Sequence, residues 1–185
     1  KQYFPHGTEL AALEINDHAD DIPLNKALKV FSIDDAMTTE IDDAFSLQAI
    51  NSGWIVGVHI SAPSLNKELL TIASERLSTV YYPGHKITML PENVIAHYSL
   101  DQGKQLPVVS IYFTIDNEFN ITQTESKLEQ VIISDNLRTE NLEQLFNVEN
   151  MAQDHGYPYE TELKLLHKFA LKLEEGRGKA SVNQL

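Results

Sequence analysis

The segment Ala44-Phe45-Ser46-Leu47-Gln48-Ala49-Ile50-Asn51-Ser52-Gly53-Trp54-Ile55-Val56-Gly57-Val58-His59-Ile60 sets two β-rich runs on either side of a short polar turn. Branched and aromatic side chains suit a pleated, half-buried surface, and Gly53 stands where a tight connection needs a positive φ. The segment therefore predicts a β-hairpin. Upstream, Val30-Phe31-Ser32-Ile33 predicts a further short strand. Downstream, Pro63 opens a helical pattern with Leu65, Leu69, Ile72, Ala73 and Leu77 at helical spacing, ending before Tyr81-Tyr82-Pro83-Gly84. Pro91 opens a shorter helix through Tyr98. Val108 to Ile115 and Ile121 to Ile133 predict two long strands around Asp116-Asn117, and helices are expected over Thr139 to Phe146 and Thr161 to Leu173. At the start, Thr8 to Ile15 predicts a short helix with Thr8 as its N-cap, followed by the polar stretch Asn16 to Asp21. Hairpins precede and follow the helical segments rather than alternating with them. The expected fold is thus mixed α/β (α+β), with a largely antiparallel sheet flanked by helices.

With 185 residues, 42% of them hydrophobic, the chain can bury a sizeable core. It has no apolar run of the roughly 20 residues needed to cross a bilayer, and its first residues lack the pattern of a signal peptide. Cysteine is absent, which excludes disulfides and thiolate metal sites and fits a reducing, cytoplasmic setting. Any metal must be held by oxygen or imidazole. A formal net charge of −13 opposes direct phosphate binding unless the acidic residues gather around cations or basic surfaces lie elsewhere in a longer protein. The chain begins without methionine and stops straight after a helical pattern, so it is expected to be a piece of such a protein.

The stretch Asp34-Asp35-Ala36-Met37-Thr38-Thr39-Glu40-Ile41-Asp42-Asp43 places five carboxylates within ten positions between two predicted strands. Such a run is usually a solvated loop. Where it folds back on itself, the repelling charges form an oxygen-rich environment suited to a hard divalent cation. A helix–loop–helix calcium site fails, because Thr39 and Phe45 stand where glycine and glutamate are required. Zinc hydrolase, phosphate-loop and serine-nucleophile motifs are absent as well. Composition and spacing reach a hard-metal site or a solvated loop and go no further.

The ordered blocks are more specific. Ile33-Asp34, then Glu40-Ile41-Asp42-Asp43-Ala44, then Gly53-Trp54-Ile55-Val56-Gly57-Val58-His59-Ile60-Ser61, then Val80-Tyr81-Tyr82-Pro83-Gly84 with Thr88-Met89-Leu90-Pro91-Glu92 resemble, in order and spacing, the RNB catalytic domain of the ribonuclease II and ribonuclease R family. The resemblance covers about Phe31 to Asn141. It implies a lead-in over 1–29 and the N-terminal half of an RNB-like catalytic domain over 30–185. It further implies hydrolysis of single-stranded RNA from its 3′ end to nucleoside 5′-monophosphates, with magnesium, or manganese in its place, as cofactor.

Carried over by position, Asp34, Asp42 and Asp43 would be catalytic carboxylates. The metal would be held by these three with Glu40, which fills a place usually held by aspartate. Tyr81 matches a tyrosine that stacks on nucleotides near the RNA 3′ end, although a lone tyrosine beside a proline more often simply packs. Asp35 reads as a surface residue, while His59 and Trp54 read as packing. Two departures stand out. Glu140 occupies the place of a second active-site tyrosine, and the family's catalytic arginine belongs to a motif beyond Leu185. The parent is expected to supply the rest of the catalytic domain and oligonucleotide-binding barrels. A catalytically silent RNA-binding or scaffold module is the alternative, favoured by Glu40 and Glu140 and opposed by the retained aspartates. An acidic protein-interaction domain would explain the charge but not the ordered blocks.

Overall fold

The structure is a computed structural model that describes residues 8–17, 19–143, 151 and 153–177. The strands are β1 (Val30–Asp34), β2 (Asp43–Ile50), β3 (Gly53–Ser61), β4 (Val80–Tyr82), β5 (His85–Ile87), β6 (Gln105–Asp116) and β7 (Ile121–Arg138). The helices are α1 (Lys67–Arg76), α2 (Glu92–Tyr98), α3 (Thr139–Glu143) and α4 (Glu160–Gly176). Strands β1-β2-β3-β6-β7 close into a barrel, and β4-β5 form a separate two-stranded sheet. Every neighbouring pair in the barrel is antiparallel except β1–β7, which run parallel and shut it. The largely antiparallel mixed architecture is as expected; the closure is an addition to it. The last part of the helix predicted over Thr139 to Phe146 lies outside the described residues.

The predicted hairpin is β2–β3, with Ile50 opposite Gly53. Gly53 has φ 145°, and a Cβ there would lie 2.0 Å from the Ile115 carbonyl oxygen. Only glycine allows β6 to approach so closely. Strand alternation then sorts the side chains. Val30, Ala44, Leu106, Val108, Val131 and Ile133 pack into one cluster within the barrel, joined by Ile41 and Leu100. On the outer wall, Val56 and Ile115 pack with Leu165 and Phe169 of α4, while Phe31 packs with Tyr159 and Leu163. Burying each such side chain contributes about 1.5–3 kcal/mol, so α4 is held chiefly by its apolar face.

The barrel also contains a polar layer. His59 is opposite Ala44 on one side and Ser110 on the other, which puts all three on the interior face. Its ring nitrogens bond Ser46 Oγ and Ser110 Oγ, each at 2.8 Å. Gly57 makes room: a Cβ there would sit 2.4 Å from Ser46 Oγ and 2.9 Å from His59 Nε2. Burial pushes the imidazole pKa down to about 4, against the opposing effect of Glu129. Glu129 is itself buried, which favours its neutral form, yet hydrogen bonds from Ser110, Tyr112 and Asn25 outweigh this and lower its pKa. His59 is thus a satisfied core residue, as expected. Trp54 packs on the α4 side, also as expected.

The opening segment departs from expectation. Residues 8–17 contain no helix. The Leu13 backbone is bracketed by the Asn93 side chain, which accepts from its N–H at 3.2 Å and donates to its carbonyl at 2.8 Å. Asn66 Nδ2 donates to the Glu14 carbonyl at 3.2 Å, and Leu13 and Ile15 pack against Leu69, Val94 and Tyr98. Backbone groups engaged by side chains from two other segments cannot serve an intrahelical ladder, so tertiary contacts override local propensity. Helix α1 likewise starts later than Pro63. A 3-10 turn covers Pro63–Leu65, and Asn66 is the true N-cap, accepting from Glu68 N–H at 3.1 Å.

His59 predicts an acid sensitivity. Its folded pKa of about 4 lies below the ordinary 6.5, so the unfolded chain takes up a proton first as pH falls. The stability this residue supports is complete above pH 6.5 and declines toward pH 4, by about 3 kcal/mol in total. Raised carboxylate pKa values elsewhere act in the opposite sense, so the comparison needs a variant. In urea melts between pH 7.5 and pH 4.5, His59→Asn should be less stable at the upper pH but lose less on acidification. Equal acid losses in both proteins would refute the assignment.

Candidate active site

The acidic stretch joins β1 to β2. Asp34 ends the first strand, Asp43 begins the second, and Asp42 directly precedes it. Ile41 anchors the intervening loop. Its side chain is fully buried, its N–H donates to Ser99 Oγ at 3.1 Å, and its carbonyl accepts from Leu100 N–H at 2.9 Å. The Asp42 carbonyl accepts from Ser61 N–H at 2.8 Å. The acidic-hydrophobic-Asp-Asp pattern therefore has a physical meaning: one apolar plug pins the backbone between Glu40 and Asp42.

Asp34 is oriented from within the barrel. Its Oδ2 accepts from Ser32 Oγ at 2.5 Å, and that hydroxyl accepts from Asn136 Nδ2 at 2.9 Å. Asn136 Nδ2 also donates to the Leu100 carbonyl at 2.9 Å. Asp42 and Asp43 carry the electrostatic signature of the site. Burial raises the Asp42 pKa, and Glu40, Asp43 and Asp34 raise it further, while Lys86 partly offsets them. Burial and then Asp34 raise the Asp43 pKa. Asp42 thus feels the charge of each of the other three predicted metal residues.

The donor set is wholly carboxylate and mutually repelling, which is the chemistry that suits a hard cation. Among the described residues, no three His, Cys, Asp or Glu side chains are gathered closely enough to ligate one metal together. Magnesium requires fewer, since it draws much of its octahedral shell from water and phosphate. Glu40 and Asp42 line a cavity of about 330 Å³, whose other walls include Ser61, Leu90 and Tyr98. A second crevice of about 510 Å³ beside α4 is mostly apolar and includes no residue of the acidic loop.

Tyr81 does not line the acidic cavity. It is 73% exposed on the β4–β5 hairpin, directly opposite Lys86. The turn Pro83-Gly84, with φ 79° at Gly84, sets that pairing. Lys86 Nζ forms an ion pair with Glu40 and donates to Thr39 Oγ1 at 3.1 Å. Sequence reasoning missed Lys86 as a partner, although the two-residue turn implied its register. It also missed Ser32 and Asn136, which give no signal outside the fold.

Glu140, at the place of an expected tyrosine, holds the other side of the loop. Both its carboxylate oxygens accept from Ala36 N–H, at 2.9 and 3.0 Å. Thr139 Oγ1 donates to Asp35 Oδ1 at 2.8 Å, and Arg138 Nη1 donates to the Asp35 carbonyl at 3.0 Å. The bond from Ala36 is the main reason the Glu140 pKa is lowered. Asp35 is exposed, as expected of a surface residue, and is tied to the β7–α3 junction.

The model of the RNB domain matches residues 24–185. The chain belongs to the RNB domain family. Exoribonuclease 2 of Actinobacillus pleuropneumoniae is 31% identical over 184 residues, which take in 89% of this chain and 27% of that protein. Exoribonuclease 2 of Aeromonas hydrophila is 33% identical over 84 residues, 43% of this chain and 12% of the relative. This RNB chain therefore corresponds to a minor part of the length of its curated relatives. In fold it is similar to RNase R of Mycoplasma genitalium in complex with ribose-methylated single-stranded RNA, with TM-score 0.73 and 19% identity over 93% of this chain and 28% of that one. Yeast Ssd1, a pseudonuclease, is similar at TM-score 0.73 and 16% identity, over 94% of this chain and 22% of that one.

Removing the Glu140 latch should loosen the loop without unfolding the barrel. Glu140→Ala is expected to speed amide exchange at Ala36 about tenfold while exchange in β3 and β6 stays unchanged. Hydrogen exchange read by mass spectrometry checks this. Unaltered exchange around Ala36 would show that the carboxylate does not hold the loop.

Proposed function

We propose that this RNB chain is the catalytic region of a metal-dependent exoribonuclease that hydrolyses single-stranded RNA from the 3′ end, releasing nucleoside 5′-monophosphates. The observation that carries the reading is the set Asp34, Asp42 and Asp43, held at the mouth of a barrel with the pKa values of Asp42 and Asp43 raised by burial and mutual repulsion. Family membership and relatives named exoribonuclease support it. Asp34, Asp42 and Asp43 would hold magnesium or manganese, not all as direct ligands but in part through the water of its shell, and the ion when bound supplies an activated water and charge neutralisation at the scissile phosphate.

The chain's own residues supply the rest. Ser32 fixes the Asp34 carboxylate. Ile41 pins the backbone that carries Asp42, so the carboxylate need not reorganise as charge develops. Tyr81 offers an exposed ring on which a base can stack irrespective of sequence. With a net charge of −13, this part of the protein depends on cations and on other parts of the parent to draw in a polyanion. We assign those parts to the remainder of the catalytic domain and to oligonucleotide-binding barrels, and place the protein in the cytoplasm. Among the described residues, no helix is long and apolar enough to cross a membrane.

A second reading, a silent RNA-binding module, has two observations behind it. The fold is shared with a pseudonuclease, and Glu140 serves as a loop latch where a tyrosine is expected. Retention of three repelling carboxylates favours the nuclease, since a silent module has no use for their cost. The intact protein decides between them. Asp42→Asn, nearly isosteric, should lower release of nucleoside monophosphates at least about a thousandfold, while RNA affinity in chelator stays equal or improves as a repelling charge is lost. Equal degradation by both proteins would remove Asp42 from the chemistry. No release from either with any divalent metal would give the lead to the silent module.

A further inference from the structure

Lys86 places a cation within an acidic centre. Its ammonium pairs with Glu40 and donates to Thr39 Oγ1 at 3.1 Å, with the two paired side chains 33% and 18% exposed. A carboxylate engaged in this way differs from its neighbours: among the described residues, the Asp34 carboxylate is bonded to a hydroxyl, and Asp42 and Asp43 have no direct cationic partner. The longer glutamate side chain carries its carboxylate across to the hairpin, whereas a shorter aspartate at this position would fall short by a methylene. Thr39, beside Glu40 in the chain, supplies the second contact to the same ammonium.

The β4–β5 hairpin is a two-stranded sheet outside the barrel, and such a ribbon is marginal without external anchoring. Lys86 is the cross-strand partner of Tyr81, and directly opposed residues project from one face of a sheet. The bond that ties Lys86 to Glu40 therefore also sets where the exposed Tyr81 ring stands relative to the acidic loop. We propose that Glu40 is a docking residue rather than a metal ligand: paired with Lys86, it fixes the hairpin on the acidic loop and positions Tyr81 for stacking on the terminal base. The proposal rests on the exoribonuclease reading above and separates Glu40, which holds the hairpin, from the three aspartates left to face the cation, directly or through its water shell.

The test uses the intact protein with two probes, manganese ion followed by electron paramagnetic resonance and a fluorescent five-nucleotide RNA bound in chelator. Glu40→Gln should leave manganese affinity within about twofold, while Asp42→Asn weakens it at least about tenfold. Glu40→Gln and Lys86→Gln should each weaken RNA binding about fivefold, and Lys86→Arg, which keeps the pair, should not. Simple electrostatics predicts the reverse for Glu40→Gln, since it removes a negative charge. On a Tyr81→Ala background the Glu40→Gln effect should vanish, because the residue acts through that ring. Manganese loss in Glu40→Gln matching that in Asp42→Asn would make Glu40 a ligand and overturn the proposal. RNA affinity unchanged or tighter in Glu40→Gln, or an equal loss without Tyr81, would overturn it as well. If Asp42→Asn bound manganese normally, the metal reading itself would fall, a result distinct from failure of the docking role.

Discussion

The parallel pairing of β1 with β7 is the constraint on which the molecule depends. The two strands are about a hundred residues apart in sequence, and their union turns an open antiparallel sheet into a barrel. Closing so long a loop costs entropy that only a packed interior offsets. The same pairing aligns Ser32 with Asn136 and Asp34 with Arg138. One ladder thus closes the core, orients the first carboxylate through Ser32, and brings the β7–α3 junction within reach of Asp35 and Ala36. Core and site are consequences of one register.

The interior divides its work. An apolar cluster around Val30, Val108 and Val131 supplies the hydrophobic drive, and a hydrogen-bonded layer around His59 specifies how strands meet. Such a layer tolerates little change, because each partner left alone in a dry interior costs more than the bond returned. Gly57 belongs to this layer by having no side chain. At the rim the logic inverts: Asp42 and Asp43 are exposed, and neighbouring carboxylates raise the pKa of each, an arrangement typical of functional positions.

Much of this was legible in the sequence, for identifiable reasons. The β2–β3 hairpin, β6, β7 and α4 announce themselves through alternation, turn residues and helical spacing, all local signals. Barrel closure does not, because no local pattern records which distant strand will pair in parallel. The helix expected at Thr8 to Ile15 fails for a related reason: Asn66 and Asn93, far along the chain, capture its backbone. At the candidate site, the ordered blocks pointed to Asp34, Asp42 and Asp43 as a group. The partnership of Lys86 with Glu40 needed three dimensions, as did the use of Glu140 as a latch.

The irregularity in the β1–β7 ladder has a consequence of its own. Val30 faces Ile133, but Phe31 faces Asp135, so Ser134 is an extra residue on β7. This bulge restores the alternation of sides, keeping Ile133 and Asn136 toward the interior and Asp135 outward, where it accepts from Tyr159 Oη. Were Ser134 paired in regular register, with no bulge, the faces of everything after it would be exchanged and Asp135 would turn inward opposite Ser32, putting a repelling charge in place of the neutral amide of Asn136. The count from Ile133 to Arg138 therefore acts as a ruler for the acidic centre. An insertion or deletion after Ser134 would break that count, where a substitution would not.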